Sequence, residues 1–335
     1  MAHAWRSLLF GIDGWRHYLR SGYEARAKHF DDAPFRRDLT GVHALVTGAN
    51  QGIGYATAKQ LASQRADVHM VCRSRDRGEA AVARLREELG PDGCGALHLH
   101  VCDVSSMAAV KSLVDAYVDG GKPLHVLVNN AGCMVHSRTT TSEGVEANFA
   151  TNVLGTWALT EGLLPALRRA GGDARVVTVS SAGMLTERLE LDDPEMRRGT
   201  FDGTRQYAKN KRLQVAMTER WARTHGESVG FYAMHPGWSD TAAVRVALPG
   251  FYESLKGKLR EPWQGADTVA WLCVAPRASL EAGAFYLDRQ PVPKHVSTSF
   301  LCGTKYKDEQ VDHLVKMLED RLKAVTRERS GETPR

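Results

Sequence analysis

The sequence predicts an α/β protein built on a Rossmann-type, doubly wound parallel sheet of seven strands with helices on both faces. Three observations support this prediction: short apolar runs alternate with longer helical patterns, the first run ends in a glycine-rich turn, and polar residues cluster where the runs end. The 335 residues are sufficient for a large core, and their composition is that of an ordinary globular protein.

Each predicted strand is a short apolar run of the kind that forms a buried parallel strand. The runs cover residues 43–49, 67–72, 96–103, 125–132, 175–181, 230–237 and 283–288. Between them, apolar residues recur every three or four positions, which predicts helices. These helical patterns cover residues 53–65, 74–90, 105–119, 142–170, 205–225 and 264–275. Because strands that pair in parallel need a crossover of about a dozen residues or more, this spacing favours a parallel sheet.

The alternation runs without a linker, so we predict one catalytic domain over residues 41–295 rather than two domains. Residues 1–40 are a predicted helical extension at the N-terminus, and residues 296–335 are a predicted helical tail. The tail has apolar residues at helical spacing, namely Val311, Leu314, Val315, Leu318 and Leu322. We expect this helix to pack on the domain and its polar end, residues 327–335, to fray.

The N-terminal extension carries an apolar stripe at helical spacing, with arginines nearby. The stripe consists of Trp5, Leu8, Leu9, Ile12, Trp15 and Leu19, and the arginines are Arg6, Arg16 and Arg20. We expect the stripe to dock on the protein's own surface; the alternative is an interfacial helix in peripheral contact with a membrane. No run reaches the roughly 18 to 20 apolar residues that span a bilayer, and the N-terminus lacks the features of a secretory signal. We therefore expect an intracellular, cytoplasmic protein.

Charge and cysteine content exclude several classes of protein. The formal net charge is +5 and the basic residues are scattered among acids, which is not typical of a nucleic-acid-binding surface. The six cysteines are Cys72, Cys94, Cys102, Cys133, Cys273 and Cys302. Because they form neither a C-x-x-C pair nor the framework of a small secreted protein, we interpret them as reduced thiols and expect no metal site.

The turn after the first strand is rich in glycine and opens a helix. Glycine permits a tight turn and the close approach of a phosphate, while the helix N-terminus supplies unpaired N–H donors. Gly48 and Gly52 are four residues apart, which departs from G-x-G-x-x-G, but the strand before and the helix after favour pyrophosphate binding over a purely structural turn. The predicted cofactor-binding residues of this turn are Gly48, Asn50, Gln51, Gly52, Ile53 and Gly54.

The end of the second strand favours NADP(H) over NAD(H). An NAD site places a carboxylate there to bind the ribose 2′-hydroxyl, whereas this chain has Arg73, whose guanidinium can bind a 2′-phosphate. NAD(H) is the alternative cofactor. The alternative role of Arg73 is that of a solvated surface arginine without a ligand. At the end of the third strand, Asp103 is expected either to accept a hydrogen bond from adenine, beside the N–H of Val104, or to help start the next helix.

Tyr207 and Lys211 are four residues apart in the helical segment after the fifth strand, and so lie on one face of that helix. An adjacent ammonium favours the phenolate, so we expect the pKa of Tyr207 to be lowered, which makes it a usable proton donor or acceptor. The pairs Tyr55–Lys59 and Tyr252–Lys256 have the same spacing. Only Tyr207–Lys211 follows a strand that ends in two serines.

Ser181 and Asn152 complete the predicted catalytic set. A serine hydroxyl at the edge of a sheet can donate to a substrate carbonyl, and we choose Ser181 over Ser180 because consecutive strand residues face opposite sides. Asn152 interrupts an apolar helical pattern, where an amide is unfavourable unless it forms hydrogen bonds. We expect it to hold Lys211 and a water in a proton relay. The asparagines of residues 129–132 are expected to bond neighbouring strand ends beside the cofactor.

Together these segments resemble the short-chain dehydrogenase/reductase superfamily. The motifs TGANQGIG, NNAG, YAKNK and HPGWSDT occur in that superfamily's order within residues 40–290. The resemblance implies a nicotinamide cofactor at the strand ends, Ser181 and Tyr207 on the substrate oxygen, Lys211 on the nicotinamide ribose, and Asn152 in the relay. It also implies cofactor contacts from Asn130, Ala131, Pro236, Gly237 and Thr241.

Two features depart from that pattern. The interval from Ser181 to Tyr207 is about twice the usual length, and we expect the insertion at residues 185–204 to help wall the substrate site. Asn210 stands where a small serine is usual.

The resemblance implies reversible hydride transfer between NADP(H) and a carbonyl/alcohol pair. We expect lipophilic substrates because apolar residues after Trp238 can form a lid. These are Ala247, Leu248, Phe251, Tyr252, Leu255 and Trp263. The alternative is a cofactor-binding interaction protein without turnover, against which the intact catalytic set argues. A homodimer is implied by family analogy only.

Overall fold

The computed structural model describes residues 2–90, 93–296 and 303–330, and within them it has one sheet of eight strands. The strands are β1 (His43–Thr47), β2 (Asp67–Cys72), β3 (Leu97–Val101), β4 (Val126–Asn129), β5 (Arg175–Val179), β6 (Gly230–Met234), β7 (Phe285–Leu287) and β8 (Gln290–Val292). Their order across the sheet is β3-β2-β1-β4-β5-β6-β7-β8. Every neighbouring pair is parallel except β7 and β8. The predicted Rossmann-type class is thereby confirmed.

Helices fill the intervals between strands and extend both ends of the chain. They are α1 (Ala2–Asp13), α2 (Arg20–Ala27), α3 (Gly52–Ser63), α4 (Arg75–Leu89), α5 (Met107–Asp119), α6 (Ala147–Phe149), α7 (Gly155–Arg169), α8 (Gly203–His225), α9 (Ala242–Ala247), α10 (Pro249–Leu255), α11 (Pro262–Val274) and α12 (Asp308–Ser330). Two π-helical turns, Gly14–Tyr18 and Ala150–Leu154, follow α1 and α6. The helix α12 continues to Ser330, past the point where fraying was expected, and residues 331–335 lie outside the described part.

The prediction of seven strands was wrong by one. β7 and β8 form a hairpin in which Leu287 pairs with Gln290. Its two turn residues, Asp288 and Arg289, both have positive φ, 50° and 62°, as a two-residue hairpin turn requires. The three-residue β8 has no apolar alternation, and it contains Pro291, which an edge strand tolerates. These features hid the strand from a search for apolar runs.

The sheet separates two layers of helices. On one face, strand residues such as Leu45 and Val176 form a core with α5, α7, α8 and α12; on the other, residues such as Val46 and Val177 pack with α3, α4 and α11. The tail helix α12 contributes Val311 to the first core, so it packs on the domain as expected. Side chains of alternate strand residues thus face opposite layers, as the pleat dictates.

Two buried arginines fasten the N-terminal extension to the sheet. The Arg260 guanidinium donates to the carboxylate of Asp288 at 2.6 and 2.9 Å and to the Tyr18 carbonyl at 2.9 Å. Arg289 donates to the carboxylate of Asp267 at 2.8 and 2.6 Å. Its guanidinium also lies over the rings of Phe30 and Phe35 in the extension, 4.2 and 4.8 Å from the ring centres. Because each charge is paired and further hydrogen-bonded, the extension is held in place without leaving a buried ion uncompensated.

The expectation that the N-terminal stripe docks on the protein's own surface is wrong for most of it. Within the single chain, Trp5, Leu8, Ile12 and Trp15 expose 46, 54, 42 and 56 % of their surface. The opposite face of the extension is the one that packs, through Phe10. Helical periodicity shows which residues share a face, but here the docked face was the less apolar one. In the described part of the chain, no helix is both long enough and apolar enough to cross a membrane.

Candidate active site

The glycine-rich turn between β1 and α3 has the geometry of a phosphate cradle. Gly48 and Gly52 have φ values of +65° and +57°, in the left-handed region that favours glycine. A Cβ on Gly54 would lie 2.4 Å from the Gly48 carbonyl oxygen, so only glycine permits this close backbone approach. At the start of α3, the Gln51 side chain makes no capping hydrogen bond. The first N–H groups of the helix are therefore available to an anion, and the turn fits a pyrophosphate.

Hydrogen bonds join the ends of β1 and β4 beside this turn. The Thr47 hydroxyl oxygen accepts from the backbone N–H groups of Asn130 and Ala131, both at 2.9 Å. The Asn130 amide donates back to the Thr47 carbonyl at 2.8 Å, which is the strand-end contact expected for it. Asn129 differs, because its amide donates to Thr160 in α7 at 2.9 Å. Asn130 and Ala131 thus lie beside Gly48, where a Cβ would be 3.1 Å from the Asn130 amide nitrogen and from the Ala131 Cα.

The loop after β6 closes over the same turn. Thr241 places its methyl carbon 3.5 Å from where a Cβ of Gly52 would lie, and its hydroxyl caps α9 at Val244. Gly237 has φ +68°, and a Cβ there would lie 2.4 Å from the Arg260 Nε. The structure therefore brings Thr241 to the predicted cofactor site and places Pro236 and Gly237 in the loop that leads to it.

The two residues predicted to read the adenosine half lie at the ends of β2 and β3. Arg73 follows β2 and is exposed. The Asp103 carboxylate accepts from the N–H and the hydroxyl of Ser105, at 3.0 and 2.8 Å, whereas the N-cap of α5 is Ser106, whose hydroxyl accepts from the Ala109 N–H. The contact with adenine stays a prediction. The Val104 carbonyl packs against α7, where a Cβ on Gly155 would lie 1.9 Å from it.

Tyr207 and Lys211 project from one face of α8. The Lys211 Nζ lies 5.2 Å from the centre of the Tyr207 ring. It donates to the Val179 carbonyl at the end of β5, at 2.8 Å, and to the Gln214 side-chain oxygen at 3.0 Å. In the pair Tyr55–Lys59, which has the same spacing, Lys59 binds Glu88 at 2.6 Å on the outer surface of α3.

Burial shifts the pKa values of both groups. It lowers the pKa of Lys211 to about 7. It raises the pKa of Tyr207 to about 12, against the lowering effect of a hydrogen bond from Ser181. Tyr207 is half-buried, and loss of hydration is the largest cause of the rise in its pKa. The expected lowering of the Tyr207 pKa was therefore wrong, because loss of hydration outweighs the lowering effect of Ser181.

The two serines after β5 face opposite ways, as the strand pleat requires. Ser180 is buried, and its hydroxyl donates to the Lys211 backbone carbonyl at 2.8 Å. Ser181 faces Tyr207 and lowers the pKa of its phenol, and the Ser181 oxygen accepts from the Gly183 N–H at 3.1 Å. The structure thus brings Ser181, Tyr207 and Lys211 together and turns Ser180 away from them.

Asn152 lies in the π-helical turn between α6 and α7 and is fully buried. Its side chain binds both backbone groups of Cys133, accepting from the N–H at 3.0 Å and donating to the carbonyl at 2.8 Å. Its own backbone carbonyl accepts from the Gln214 amide at 2.6 Å. Sequence reasoning missed Gln214 and the position of Cys133 beside the lysine; the one available signal for Gln214 was its helical spacing of three from Lys211.

The residues expected to wall the substrate site lie in the insertion after β5, at Asn210 in α8, and in the segment after β6. In the insertion, Arg188 donates to the Gly303 carbonyl at 3.1 Å and Glu195 binds Arg321 at 3.2 Å, so much of it faces the tail. Asn210 is buried within α8 and accepts from Gln206 at 2.9 Å.

The apolar residues after β6 surround Trp238. Its ring contacts those of Phe10, Tyr18 and Phe251 at centroid distances of 5.9, 5.8 and 5.1 Å. Leu255 is buried with Leu19 of the N-terminal extension, whereas Trp263 is 59 % exposed. Trp238 and the aromatic residues of α10 therefore form an aromatic wall together with the extension.

The cysteines resolved in the described residues, Cys72, Cys94, Cys102, Cys133 and Cys273, are free thiols, and Cys302 lies outside those residues. In the same part of the chain, no group of three or more His, Cys, Asp or Glu side chains is arranged to hold a metal ion.

Comparison with known proteins agrees with this geometry. The family model for short chain dehydrogenases matches residues 42–190. The chain is 43 % identical over 320 residues to dehydrogenase/reductase SDR family member 12 of Bos taurus, covering 95 % of this chain and 99 % of that one. It is 34 % identical over 264 residues to the polyprenol dehydrogenase of Danio rerio, covering 75 % and 79 %.

A solved structure agrees as well. A short-chain dehydrogenase from Burkholderia cenocepacia in complex with NADP is 26 % identical, with a TM-score of 0.59 over 74 % of this chain and 96 % of that one. With near-complete coverage of a relative at 43 % identity and a site that gathers the family's motifs, the chain belongs to the short-chain dehydrogenase/reductase family of oxidoreductases.

Proposed function

We propose that this protein is an NADP(H)-dependent oxidoreductase that interconverts a carbonyl and an alcohol, with Tyr207, Ser181, Lys211 and Asn152 as its catalytic set. The observation that carries the proposal is the meeting of Tyr207, Ser181 and Lys211 at the carboxyl ends of the strands. Ligands of open α/β sheets bind at this edge.

Three of these residues have distinct chemical tasks in this proposal. When bound, NADP(H) supplies or accepts the hydride. Tyr207 gives a proton to the substrate oxygen during reduction, and the Ser181 hydroxyl donates a hydrogen bond to the same oxygen. Burial lowers the pKa of Lys211 to about 7, so a substantial fraction is charged at neutral pH and can stabilise the phenolate that proton transfer leaves.

The preference for NADP(H) rests on Arg73, which is exposed at the end of β2 where an NAD site would place a carboxylate. NADPH and NADH should be titrated separately into the purified protein and into Arg73→Glu. We expect Arg73→Glu to weaken NADPH binding and to leave NADH binding little changed. Arg75→Glu is the control, because this arginine is exposed on α4 and pairs with Glu79 there. Equal effects of both substitutions would point to general charge rather than to a 2′-phosphate site.

The proton-transfer step is tested with Tyr207→Phe, which removes only a hydroxyl. Turnover of carbonyl substrates with NADPH should fall by about 100-fold or more, while NADPH binding persists. If wild-type protein binds NADPH but turns over no carbonyl, and a captured partner survives Tyr207→Phe, the non-catalytic interaction protein becomes the better proposal.

Lipophilic substrates are supported by the aromatic wall around Trp238 and by the name of the polyprenol dehydrogenase relative. Aldehydes of increasing chain length should be turned over with rising kcat/KM. Phe251→Ala should reduce that rise, because it removes one ring of the wall. A flat profile for the wild type would contradict the proposed substrate class.

We also propose that the exposed stripe of α1 and of the π-helical turn after it contacts a membrane surface. It carries a tryptophan at either end, Trp5 and Trp15, and the Lys258 ammonium lies 5.3 Å from the Trp15 ring centre. Tryptophan favours the interface of a bilayer, and a neighbouring cation suits anionic lipid. Wild type should sediment with phosphatidylserine vesicles and the Trp5→Ser/Trp15→Ser variant should not. The control is Val101→Ser, an exposed apolar residue on β3; a self-associating wild type without vesicle binding would indicate a second copy instead.

A further inference from the structure

Gln214 makes a direct bridge between Lys211 and Asn152. It lies on α8, three residues after Lys211, and is 1 % exposed. Its side-chain oxygen accepts from the Lys211 ammonium at 3.0 Å, and its amide nitrogen donates to the Asn152 backbone carbonyl at 2.6 Å. One buried amide therefore links Lys211 to Asn152, which were expected to be linked through a water.

The Asn152 carbonyl that Gln214 binds lies in a π-helical turn. In this turn the Gly155 N–H donates to the Ala150 carbonyl, five residues earlier, rather than in the α-helical pattern. Such turns are rare and are frequent at functional sites. The Gln214 amide donates to the Asn152 carbonyl within this turn.

This contact also fixes which way the Gln214 amide points. Because the Asn152 carbonyl can only accept, the NH₂ group must face it, and the oxygen must face Lys211. Lys211 is buried, and among the described residues its other acceptor is the Val179 carbonyl. Cys133 and Tyr207 are its titratable neighbours, and neither is a carboxylate. Two neutral oxygens thus hold a buried ammonium, which leaves a third N–H for a ligand.

We propose that Gln214 is a positioning residue for the reaction: it orients Lys211, stabilises its charged form, and couples it to the Asn152 turn through an amide instead of a water. This inference rests on the proposed function, since Lys211 acts there beside Tyr207. An amide donates and accepts at fixed ends, so this link orients the lysine and does not pass protons along.

Two substitutions at Gln214 make opposite predictions. Gln214→Met keeps the length of the side chain and removes the acceptor, so the charged form of Lys211 loses support. Gln214→Glu places a carboxylate beside the ammonium and strengthens that support. The matched control is Gln206→Met, because Gln206 is a fully buried glutamine on the same helix that binds Asn210 and the Pro194 carbonyl instead.

The first measurement needs no turnover. The pKa of Lys211 is read by NMR titration of protein with ¹³Cε-labelled lysine, with Lys211→Arg used to assign the resonance. We expect a fall of about one to two units in Gln214→Met, a rise in Gln214→Glu, and little change in Gln206→Met. Shifts in the same direction for both Gln214 variants, or an equal shift in Gln206→Met, would overturn the proposal.

The second measurement is the pH profile of kcat/KM for carbonyl reduction. Its alkaline limb should move to lower pH in Gln214→Met and to higher pH in Gln214→Glu, and kcat/KM in Gln214→Met should fall about 10-fold or more. Thermal melts identify any variant that fails to fold. If wild type reduces no carbonyl, the proposed function fails while the titration still decides whether Gln214 controls Lys211.

Discussion

Acidification from pH 7 to pH 5 is expected to destabilise this fold through His69. This residue of β2 is 4 % exposed and lies among other histidines of neighbouring strands. Its Nδ1 is 2.9 Å from His100 Nε2, and its Nε2 is 3.4 Å from His43 Nδ1. Burial, together with these like-charged neighbours when protonated, lowers the pKa of His69 to about 3.

The direction of this change in stability follows from which state, folded or unfolded, binds more protons. The pKa of His69 is about 3 in the folded state and about 6.5 in an unfolded chain, so between these values the unfolded state binds more protons. Stability is therefore present above pH 6.5 and is lost as the pH falls toward 3. Between pH 7 and pH 5 this one group removes about 2 kcal/mol, a large share of the roughly 5 to 15 kcal/mol that stabilises a typical domain. Burial also lowers the pKa values of His43 and His100, which act in the same direction.

The assay compares urea unfolding at the two pH values for wild type and His69→Phe. Phenylalanine keeps a ring against His98, which stacks on His69 at 4.6 Å, but cannot be protonated. The difference between the two proteins isolates His69 from opposing groups such as Glu146, whose pKa burial raises. His29→Phe, at an exposed position, is the control. If wild type and His69→Phe lose equal stability on acidification, the argument from buried imidazoles is refuted.

Three further predictions concern the fastening of the extension and the site. Arg260→Leu should reduce the free energy of unfolding by about 3 to 5 kcal/mol, because the buried Asp288 carboxylate then keeps its longer ion pair with the partly exposed Arg26, at 3.3 Å, in place of the buried one. Arg260→Leu/Asp288→Asn should recover much of the loss in urea unfolding, since Asn removes the charge and suits the positive φ of this turn position. Gly54→Val should abolish NADPH binding in calorimetry with little change in expression, since its Cβ would meet the turn 2.4 Å away. Asn152→Ala should lower Tm and turnover together, because both backbone groups of Cys133 lose their partner; an unchanged Tm would contradict this clamp.

Periodicity and strand ends were sufficient to predict the sheet and the meeting of Tyr207 with Lys211. Spacings of 2 and 3.6 residues are local properties that sequence displays directly, and strand ends converge wherever a sheet is parallel. The choice of Ser181 over Ser180 depended only on the pleat, and the structure turns them in opposite directions.

What sequence did not reveal depends on long-range partners. Gln214 matters because its amide binds the Asn152 carbonyl, which lies 62 residues earlier in a π-helical turn, and no local sequence pattern predicts that contact. The pKa of Tyr207 depends on how closely the protein packs around the phenol, which spacing alone does not give. The prediction that the N-terminal stripe docks on the protein's own surface was wrong for a similar reason. An apolar face indicates that another surface can cover it, but it does not show that this surface belongs to the same chain.

The hydrogen bonds of the insertion after β5 indicate that it links the tail helix to the loop after β4. Arg321 of α12 binds Glu195 of the insertion, and Glu195 accepts from the backbone N–H of Glu146 at 2.9 Å. The Glu146 carboxylate in turn caps α6 and holds Asn148, whose side chain accepts from the Val135 N–H at 2.7 Å. This series of buried contacts runs from the tail helix to the loop that follows β4, beside the candidate catalytic residues. The extra length between Ser181 and Tyr207 therefore lets the tail brace that loop, in addition to any part it has in walling the substrate.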